Sequence, residues 1–457
     1  MNRLSRGHVL PNVTFFSWST RPRLNLLPRS AMAFTVCCFA AISGLLTTSC
    51  LAGNGAAVDD LEPRLAFEFS EQVPDFDPSK EADEKVKNAR KIACDAIEEE
   101  KTKTLTEKLE NLGQLYENDD NPFMQELWFL GRYHGQAFNA EGNVGESDGW
   151  ENRRFRIGTQ ARFFEKLTLH AQMVSGFDME PFYNGFTEIW SQWAFEESLL
   201  LTVGQQKHRF THDRNISSRY INTLERSMFL NMFNADYTPA VTLSGRRDKF
   251  AYYTGVFSNA TSADIWDSFT NLDSGYSLLA SGTWDIKDTI NTDEAFWNLC
   301  YLYSDANQNA TNLNRYRDGV SIALILTQGA GSLVSEALLG TRSDNGDAFG
   351  INIQPGWFFT EKLQLATRYQ LAVADEKDGL LAQRRYDRTA GLTTGDLYQA
   401  GYAGLNYYIA GHRIKLMSGI EYADMNGEDV WTASIMFRTF WGPHSNGPFP
   451  MNKTLGQ

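Results

Sequence analysis

The chain has 457 residues, of which 42% are hydrophobic and 13% aromatic, and it carries a formal net charge of -14. Beyond the N-terminal region it contains no apolar run of about 20 residues, which excludes a bundle of transmembrane helices. The acidic balance argues against nucleic acid as a partner. It does not exclude anion transport, because a pore is governed by its lining and not by the charge of its loops. A mean hydropathy of -0.38 also leaves a transmembrane β-barrel open, since only alternate strand residues face lipid.

Residues 1–57 are predicted to be a secretory signal peptide. A basic front with five Arg precedes an apolar stretch at 31–46, and small residues follow that stretch. Cleavage is expected after Ala52 or Ala57. Cys50 is an alternative lipoprotein site, although Thr47 stands where such sites usually have Leu.

Residues 58–122 are expected to form an N-terminal segment with a charged helix. Apolar residues at helical spacing run through 77–117, and Leu112 and Leu115 belong to this stripe. Either a short coiled coil or a solvated helix without a partner would give the pattern. The turn-rich stretch 118–122 marks the boundary to the next domain.

Residues 123–441 alternate apolar and polar side chains in a way that is typical of β-strands with one wet face. The clearest case has Phe155 and Ile157 on one face and Arg154 and Arg156 on the other. An Arg-rich face cannot lie in an apolar core, because an unpaired buried cation costs several kcal/mol. It can line a water-filled lumen, so the pattern predicts a transmembrane β-barrel over 123–441.

The strands of this barrel recur at regular intervals along the chain. They are predicted at 127–136, 154–163, 167–173, 188–195, 199–204, 240–244, 250–257, 276–285, 294–303, 319–327, 331–340, 349–360, 363–373, 397–409, 412–422 and 430–441. Residues 139–149 are predicted as a turn. Residues 442–457 follow as a Pro/Gly/Asn tail without periodicity.

Three pieces of sequence follow one another between 199 and 258. A strand ends with Gly204 and Lys207, a long loop carries Ser217-Ser218-Arg219 and Glu225-Arg226-Ser227, and an aromatic strand follows. This order resembles that of the phosphate-selective porin O and P family of outer-membrane porins. The resemblance runs over about 124–441 and is carried by the order of the motifs, since each motif alone is weak.

The resemblance implies an all-β fold, an antiparallel transmembrane barrel of about sixteen strands in a bacterial outer membrane. It also implies a short periplasmic helix before the barrel and a homotrimer in the lipid bilayer. The expected function is passive diffusion of small hydrophilic solutes, anions such as phosphate among them, with no cofactor.

Seven Arg are the candidate solute-binding residues of the pore lining. They are Arg132, Arg154, Arg156, Arg162, Arg209, Arg219 and Arg226. The first four lie on predicted strands, and the resemblance places the other three on an infolded loop that narrows the pore. Guanidinium groups bind phosphate in a fork and stay charged, and rings of Arg line anion pores. If these Arg instead pair with Asp and Glu inside the barrel, the protein would be a general or carbohydrate porin.

Two other classes of protein compete with a porin. A barrel-borne enzyme would need a Ser and a His that meet on the outer face, and His170 has no serine motif to accompany it. A secreted β-sandwich that binds polysaccharide is the second alternative. His208, His212 and Asp213 are too few for a zinc site, so no metal is expected.

Several aromatic residues are predicted to form girdles at the membrane interfaces. They are Trp190, Trp193, Phe358, Phe359, Tyr407 and Tyr408. Any of these that face inward would instead offer a platform for sugars.

Overall fold

The computed structural model describes residues 105–262, 273–313, 315–341 and 346–443. The signal peptide predicted for 1–57, most of the segment 58–122 and the tail beyond Pro443 lie outside these residues. Two cysteines follow the predicted signal peptide: Cys94 lies outside the described residues, and Cys300 is a buried free thiol.

The described residues form nineteen strands and five α-helices. The strands are β1 (Gln114–Glu117), β2 (Met124–Gly142), β3 (Glu146–Phe163), β4 (Leu167–Val174), β5 (Phe186–Glu196), β6 (Leu199–Lys207), β7 (Tyr237–Arg247), β8 (Phe250–Ser258), β9 (Gly275–Asp285), β10 (Glu294–Ala306), β11 (Asp318–Gln328), β12 (Gly331–Thr341), β13 (Ala348–Thr360), β14 (Leu363–Ala374), β15 (Leu380–Leu381), β16 (Thr394–Gly395), β17 (Leu397–Ala410), β18 (Ile414–Met425) and β19 (Glu428–Trp441). The helices are α1 (Leu105–Glu110), α2 (His212–Asn215), α3 (Phe229–Phe233), α4 (Lys287–Ile290) and α5 (Arg384–Ala390), with a 3-10 turn at Phe177–Met179. None of these described helices is long and apolar enough to cross a membrane.

Sixteen of the strands close into one antiparallel barrel. Strands β2 to β14 pair in chain order, β14 pairs with β17, and β17, β18 and β19 follow. Strand β19 then returns to β2, from Trp441 opposite Gly131 to Val430 opposite Gly142. Each predicted strand corresponds to one observed strand, so the predicted barrel of about sixteen strands is confirmed.

The turn predicted at 139–149 is wrong over most of its length. Strand β2 continues to Gly142 and β3 begins at Glu146. Their polar ends pair with each other, Asn139 opposite Asp148 and Ala140 opposite Ser147. Cross-strand pairing here overrides the low strand propensity of Asn, Asp and Gly.

The charged helix ends earlier than the sequence predicts. Helix α1 stops at Glu110, and β1 pairs with β2 at 126–128, just below the point where β19 ends. Without β1, this part of β2 would present unpaired backbone groups at an open edge. Gly113 makes the turn possible, because its φ of +94° is left-handed and a Cβ there would come within 2.2 Å of the Phe129 carbonyl oxygen. Leu112 and Leu115 therefore do not extend the helical stripe.

The two ends of the barrel differ in the length of their connections. At one end, called here the short-turn end, strands join through turns such as 197–198, 248–249 and 361–362. At the other, the long-loop end, the connections include 208–236 and 375–396. Outer-membrane barrels have this asymmetry, with short turns toward the periplasm.

The outer face of the barrel is an apolar band between two aromatic girdles. Its middle carries exposed aliphatic residues such as Leu299, Ile322 and Ile420. Exposed aromatic residues flank the band on both sides: Trp193, Trp284, Trp297, Trp357, Phe359 and Tyr407 toward the short-turn end, and Tyr276, Tyr301, Phe349 and Trp431 toward the long-loop end. This arrangement matches the surface that a lipid bilayer requires.

Three of the predicted girdle residues face the other way. Phe358 stands opposite the buried Gln364, and its ring lies 5.6 Å from that of Tyr408. Tyr408 is 2% exposed, and its hydroxyl donates to the Gln364 amide oxygen inside the barrel. Trp190 lines an internal cavity. Tyr408 and Trp190 both follow the alternation of their strands: Tyr408 lies on the face opposite to Tyr407, and Trp190 on the face opposite to Trp193.

A charge in the middle of the outer band should destabilise the barrel in lipid. We expect Leu299→Arg to lower the free energy of unfolding by about 2–4 kcal/mol, because the guanidinium would lie near the bilayer midplane. Chemical denaturation in lipid vesicles measures this. Glu361→Arg, in an exposed short turn, serves as the control and should be close to neutral; an equal loss in both variants would contradict the assignment of the lipid face.

Candidate functional site

The connection between β6 and β7, residues 208–236, folds into the barrel; we call it the constriction loop. Nearly all of its residues from Phe210 to Leu224 are buried. At its deepest point the Tyr220 ring contacts the Phe440 ring, with centroids 5.8 Å apart, and the His412 ring at 5.3 Å. Both partners belong to the short-turn end, so the loop descends through most of the lumen.

Apolar anchors fix the two arms of the constriction loop near the long-loop end. Phe210, Phe229 and Phe233 are at most 1% exposed. The Phe233 ring lies 4.7 Å from Phe210 and 4.8 Å from Tyr316. Burying a Phe side chain contributes about 1.5–3 kcal/mol. The wall makes room with glycine: a Cβ on Gly350 would come within 2.4 Å of the Phe229 ring.

Cationic side chains on the wall hold the middle of the loop by its backbone. The Arg438 guanidinium donates to the carbonyl oxygens of Ser218, Ile221, Thr223 and Leu224 at 2.5–3.4 Å. Lys415 Nζ donates to the Ile221 carbonyl oxygen at 2.8 Å, and the Asn406 amide donates to that of Asn222 at 2.7 Å. These bonds satisfy carbonyl groups that would otherwise be buried without a partner.

Carboxylates fasten the first arm of the loop. The His212 backbone N–H donates to Glu336 Oε1 at 2.7 Å, and Ser321 Oγ donates to the same oxygen. Asp213 Oδ2 accepts from the Ser227 backbone N–H at 2.5 Å, which ties the two arms together. The loop is therefore positioned by its own sequence and by the wall.

A cavity of about 510 Å³ lies between the constriction loop and strands β2 to β8. Five cationic side chains line it: Arg132, Arg162, Lys207, Arg209 and Arg219. Only two carboxylates line it, those of Glu126 and Glu188. The lining of this cavity is therefore positive, although the whole chain is acidic.

Two of the predicted Arg lie at this cavity or at its edge and are hydrogen-bonded to neutral partners. Arg132 donates to Ser218 Oγ at 3.1 Å and to Gln172 Oε1 at 3.3 Å. Arg156 donates to the Tyr237 hydroxyl at 2.8 Å. Arg132 and Arg156 stand opposite each other on neighbouring strands, a like-charge pair that is unfavourable without an anion.

Two predicted Arg of the constriction loop also line the cavity. Arg219 Nη1 donates to the Pro443 carbonyl oxygen at 2.9 Å, and its guanidinium lies 5.0 Å from the centre of the Phe440 ring. The Arg209 guanidinium lies 5.2 Å from the centre of the Tyr253 ring. Both groups keep their charge next to neutral neighbours.

The other three predicted Arg have different partners. Arg226 donates to the carbonyl oxygens of Asp213 and Ile216 and braces the loop from within. Arg162 pairs with Glu126 at 2.6 Å and with Asp119 at 2.9 Å near the short-turn end. Arg154 lies within electrostatic reach of Glu225 and Arg226, above the cavity.

Arg153 contacts the loop although strict alternation would turn it toward lipid. A bulge in β3 leaves Arg153 without a partner on β2, because Arg154 pairs with His134 and Asn152 pairs with Gly135. The Arg153 guanidinium then binds the Glu225 carboxylate, with Nε to Oε1 at 2.8 Å. Burial alone would raise the pKa of Glu225, but Arg153 and Arg154 hold it well below its usual range. The Arg153-Arg154 doublet was the only sequence signal of this bulge.

Most of the predicted Arg have no acidic partner. Among the described residues, no carboxylate oxygen lies within 4.0 Å of the guanidinium nitrogens of Arg132, Arg154, Arg156, Arg209, Arg219 or Arg226. Arg162 alone of the seven forms an ion pair in this part of the structure. The charge of the other six Arg is therefore not neutralised by an ion pair among the described residues.

The histidines of the first arm are packed groups. The His208 ring lies 4.3 Å from Phe257, and burial lowers the pKa of His208 to about 3. Burial likewise lowers the pKa of His212 to about 4. Both rings are therefore neutral at physiological pH, and no group of three potential metal ligands occurs in the described ranges.

His170, the candidate of the enzyme alternative, faces the cavity and not the lipid. Its ring is stacked on Trp190 at 4.7 Å with an interplanar angle of 4°. Its Nδ1 lies 3.1 Å from the Gln160 amide oxygen. This inward stack was missed because the girdle interpretation placed Trp190 in the membrane interface.

Comparison with known proteins adds a family and a fold. A family model described as phosphate-selective porin O and P matches residues 129–434. The high-pH structure of Pseudomonas putida OprB is 11% identical, with a TM-score of 0.52 over 69% of this chain and 94% of that chain. The Salmonella typhi OmpF complex with daunomycin is 11% identical, with a TM-score of 0.50 over 71% and 99%. At such identities these structures support the fold alone. No curated protein matches the sequence.

Removing the main clamp of the constriction loop should loosen it. In Arg438→Leu four loop carbonyls lose this donor, of which Ile221 keeps Lys415, and each group left unsatisfied costs about 1–3 kcal/mol. We expect noisier single-channel currents and faster proteolysis within 208–236. Arg247→Leu, at an exposed strand end, should leave both unchanged; an equally quiet Arg438→Leu channel would show that this clamp is dispensable.

Proposed function

This chain belongs to the phosphate-selective porin O and P family and is an outer-membrane β-barrel porin, and we propose that its lumen favours anions, phosphate among them. The solutes would cross by passive diffusion. The seven predicted Arg would act in two ways: Arg132, Arg156, Arg209 and Arg219 along the path, and the others at its edges or within the loop.

One observation carries this proposal: the Arg placed along the path contact neutral groups. Hydroxyl, amide and carbonyl oxygens orient Arg132, Arg156 and Arg219 without cancelling their charge. A carboxylate partner would have offset most of the attraction for a passing anion. At an effective dielectric constant of 20, two unit charges 4 Å apart interact with about 4 kcal/mol, so the difference between the two arrangements is large.

The geometry supports conduction as well as binding. The guanidinium groups of Arg132, Arg156 and Arg219 already donate to protein oxygens, so each offers an anion only part of its hydrogen-bonding capacity. Several moderate sites in sequence let an anion exchange some of its hydration for protein donors and leave again. One deep site with every donor free would trap the anion instead.

Two features limit the positive field. Arg162 is neutralised by Glu126 near the short-turn end. Glu188 lines the cavity within electrostatic reach of Arg132, Arg156 and Lys207 but forms no ion pair within 4.0 Å among the described residues. We propose that Glu188 lowers the affinity for anions and thereby speeds their release.

The family resemblance also underlies our proposal of a homotrimer. The mass of the detergent-solubilised protein, with bound detergent subtracted, tests it. Three times the mass of one mature chain supports the trimer, and the mass of one chain contradicts it.

The proposed selectivity is measured as the reversal potential of purified protein in a planar bilayer under a salt gradient. We expect anion preference in the natural protein and a permeability ratio close to unity in the double variant Arg132→Gln/Arg219→Gln. Arg247→Gln, which removes a charge outside the lumen, should behave like the natural protein. Cation preference in the natural protein would overturn the proposal.

Removing the charge of Glu188 should change the anion preference in the opposite direction to removing the charge of an Arg. Glu188→Gln should increase the anion preference and lower the phosphate concentration that half-blocks the chloride current, because it removes a negative charge beside three cations. Glu361→Gln changes the net charge equally at an exposed turn and is the matched control. A shift toward cations in Glu188→Gln would refute this role.

A further inference from the structure

We propose that the cavity selects small organic phosphates with a hydroxylated body over inorganic phosphate. This inference rests on the anion preference proposed above and adds the class of solute. It comes from the uneven distribution of polar groups along the cavity, which has one charged and one neutral part.

The charged part lies against the constriction loop, and we call it the cationic pole. It is formed by Arg132, Lys207 and Arg209. Lys207 Nζ donates to the carbonyl oxygens of Asn215 and Ile216 at 3.2 and 3.0 Å, so it too has neutral partners. Three cations with neutral partners form a strong site for a phosphate group. Arg219 is held by the Pro443 carbonyl oxygen toward the short-turn end and lies within electrostatic reach of Arg132 and His170, beside both parts of the cavity.

The part toward the short-turn end, the neutral pole, contains amides, hydroxyls and two rings. It is formed by Gln160, Thr168, His170, Trp190, Gln192 and Thr202. Chain direction sets the order of the poles: on β4, Gln172 contacts Arg132, and His170 and Thr168 follow toward the short-turn end. Closer still to the short-turn end, Arg162 forms an ion pair with Glu126.

One row of the neutral pole crosses three strands. Gln160 stands opposite His170, and His170 stands opposite Trp190. The stacked imidazole and indole present a flat, partly apolar surface, and the Gln160 amide lies beside it. Among the described residues the Trp190 indole N–H has no acceptor, so it is available to a solute. Ring surfaces next to amide and indole donors suit a sugar or polyol, whose C–H and O–H groups need both.

The spacing of the two poles fits one molecule. Residues two apart on a strand are about 6.5–7 Å apart, so the row of His170 lies that far from Gln172 and the cationic pole. A phosphate bound at the pole would place an attached ring against this row. The cavity volume of about 510 Å³ is within the range of about 300–1,000 Å³ for small-molecule sites.

Glu188 separates this class from solutes with two anionic ends. It lies next to Trp190 in the alternation of β5, between the two poles. A second anionic group beyond the cationic pole would meet this carboxylate, which also offsets part of the charge of the neighbouring Arg219. Inorganic phosphate is too small to reach the neutral pole from the cationic pole, so the donors of the neutral pole would stay hydrogen-bonded to water and add nothing to its binding.

The test uses the block of chloride current in planar bilayers by two probes, inorganic phosphate and glucose 6-phosphate. We expect glucose 6-phosphate to half-block at a concentration about three- to tenfold lower, which corresponds to the value of one aromatic contact. Trp190→Ala should abolish this advantage and leave the block by inorganic phosphate unchanged. Trp193→Ala, on the lipid side of the same strand, is the matched control and should keep the advantage.

The outcomes separate the two proposals. Equal block by the two probes in the natural protein, or an advantage that survives in Trp190→Ala, overturns the solute class but not the anion preference. If neither probe blocks the chloride current, the anion preference is overturned, and this inference with it. Trp190→Leu, which keeps an apolar side chain of considerable volume, replaces Trp190→Ala if that variant does not fold.

Discussion

Several guanidinium and ammonium groups on the inner wall of this barrel bind oxygens that carry no formal charge, while others, such as Arg153 and Arg368, form ion pairs. Arg438 and Lys415 bind carbonyl oxygens of the constriction loop, and Arg132 binds a serine hydroxyl of the same loop. The bonds hold the loop in the lumen and leave the cationic charge in place. A loop held by ion pairs would be equally ordered, but the lumen would then be nearly neutral.

The position of the loop decides where the path runs. Its aromatic anchors pack against the wall at Gly319, Gly340 and Gly350, on strands β11 to β13. The cavity is left on the other side, along β2 to β8. The Arg-rich strand β3 and Arg132 of β2 thus face the open half of the barrel, and the wall with these three glycines faces the packed half. Glycines and arginines together therefore place the path off the barrel axis.

The sequence predicted the barrel well because alternation at period 2 is a local property of each strand. It predicted the inward face of Arg132 and Arg156 for the same reason. It failed where geometry departs from strict alternation or depends on distant residues. The bulge at Arg153 is of the first kind. The end of α1 at Glu110 is of the second, since β1 forms only because β2 offers an unpaired edge. Trp190 obeys the alternation, which puts it on the inner face with Glu188 and Gln192 and opposite to Trp193, so assigning both Trp to the girdle was an error of interpretation.

The hydrogen-bond and ion-pair partners of each Arg could not be predicted from the sequence either. Arg162 and Arg132 lie on faces with the same alternation, yet one meets two carboxylates and the other meets a hydroxyl and an amide. Arg226 and Arg219 are both arginines of the constriction loop. Arg219 lines the cavity, whereas Arg226 donates to the backbone of the loop itself. Such choices depend on the path of the loop through the lumen, which no single strand encodes.

The central claim is that the luminal Arg keep their charge available to solutes. Anomalous diffraction from crystals soaked in selenate, with rubidium in a parallel soak, tests this claim most directly. The account predicts a selenium peak in the cavity within about 4 Å of the Arg132 and Arg219 guanidinium groups, at the distance of charge-assisted contacts. A rubidium peak beside Glu188 in a cavity without selenium would contradict it.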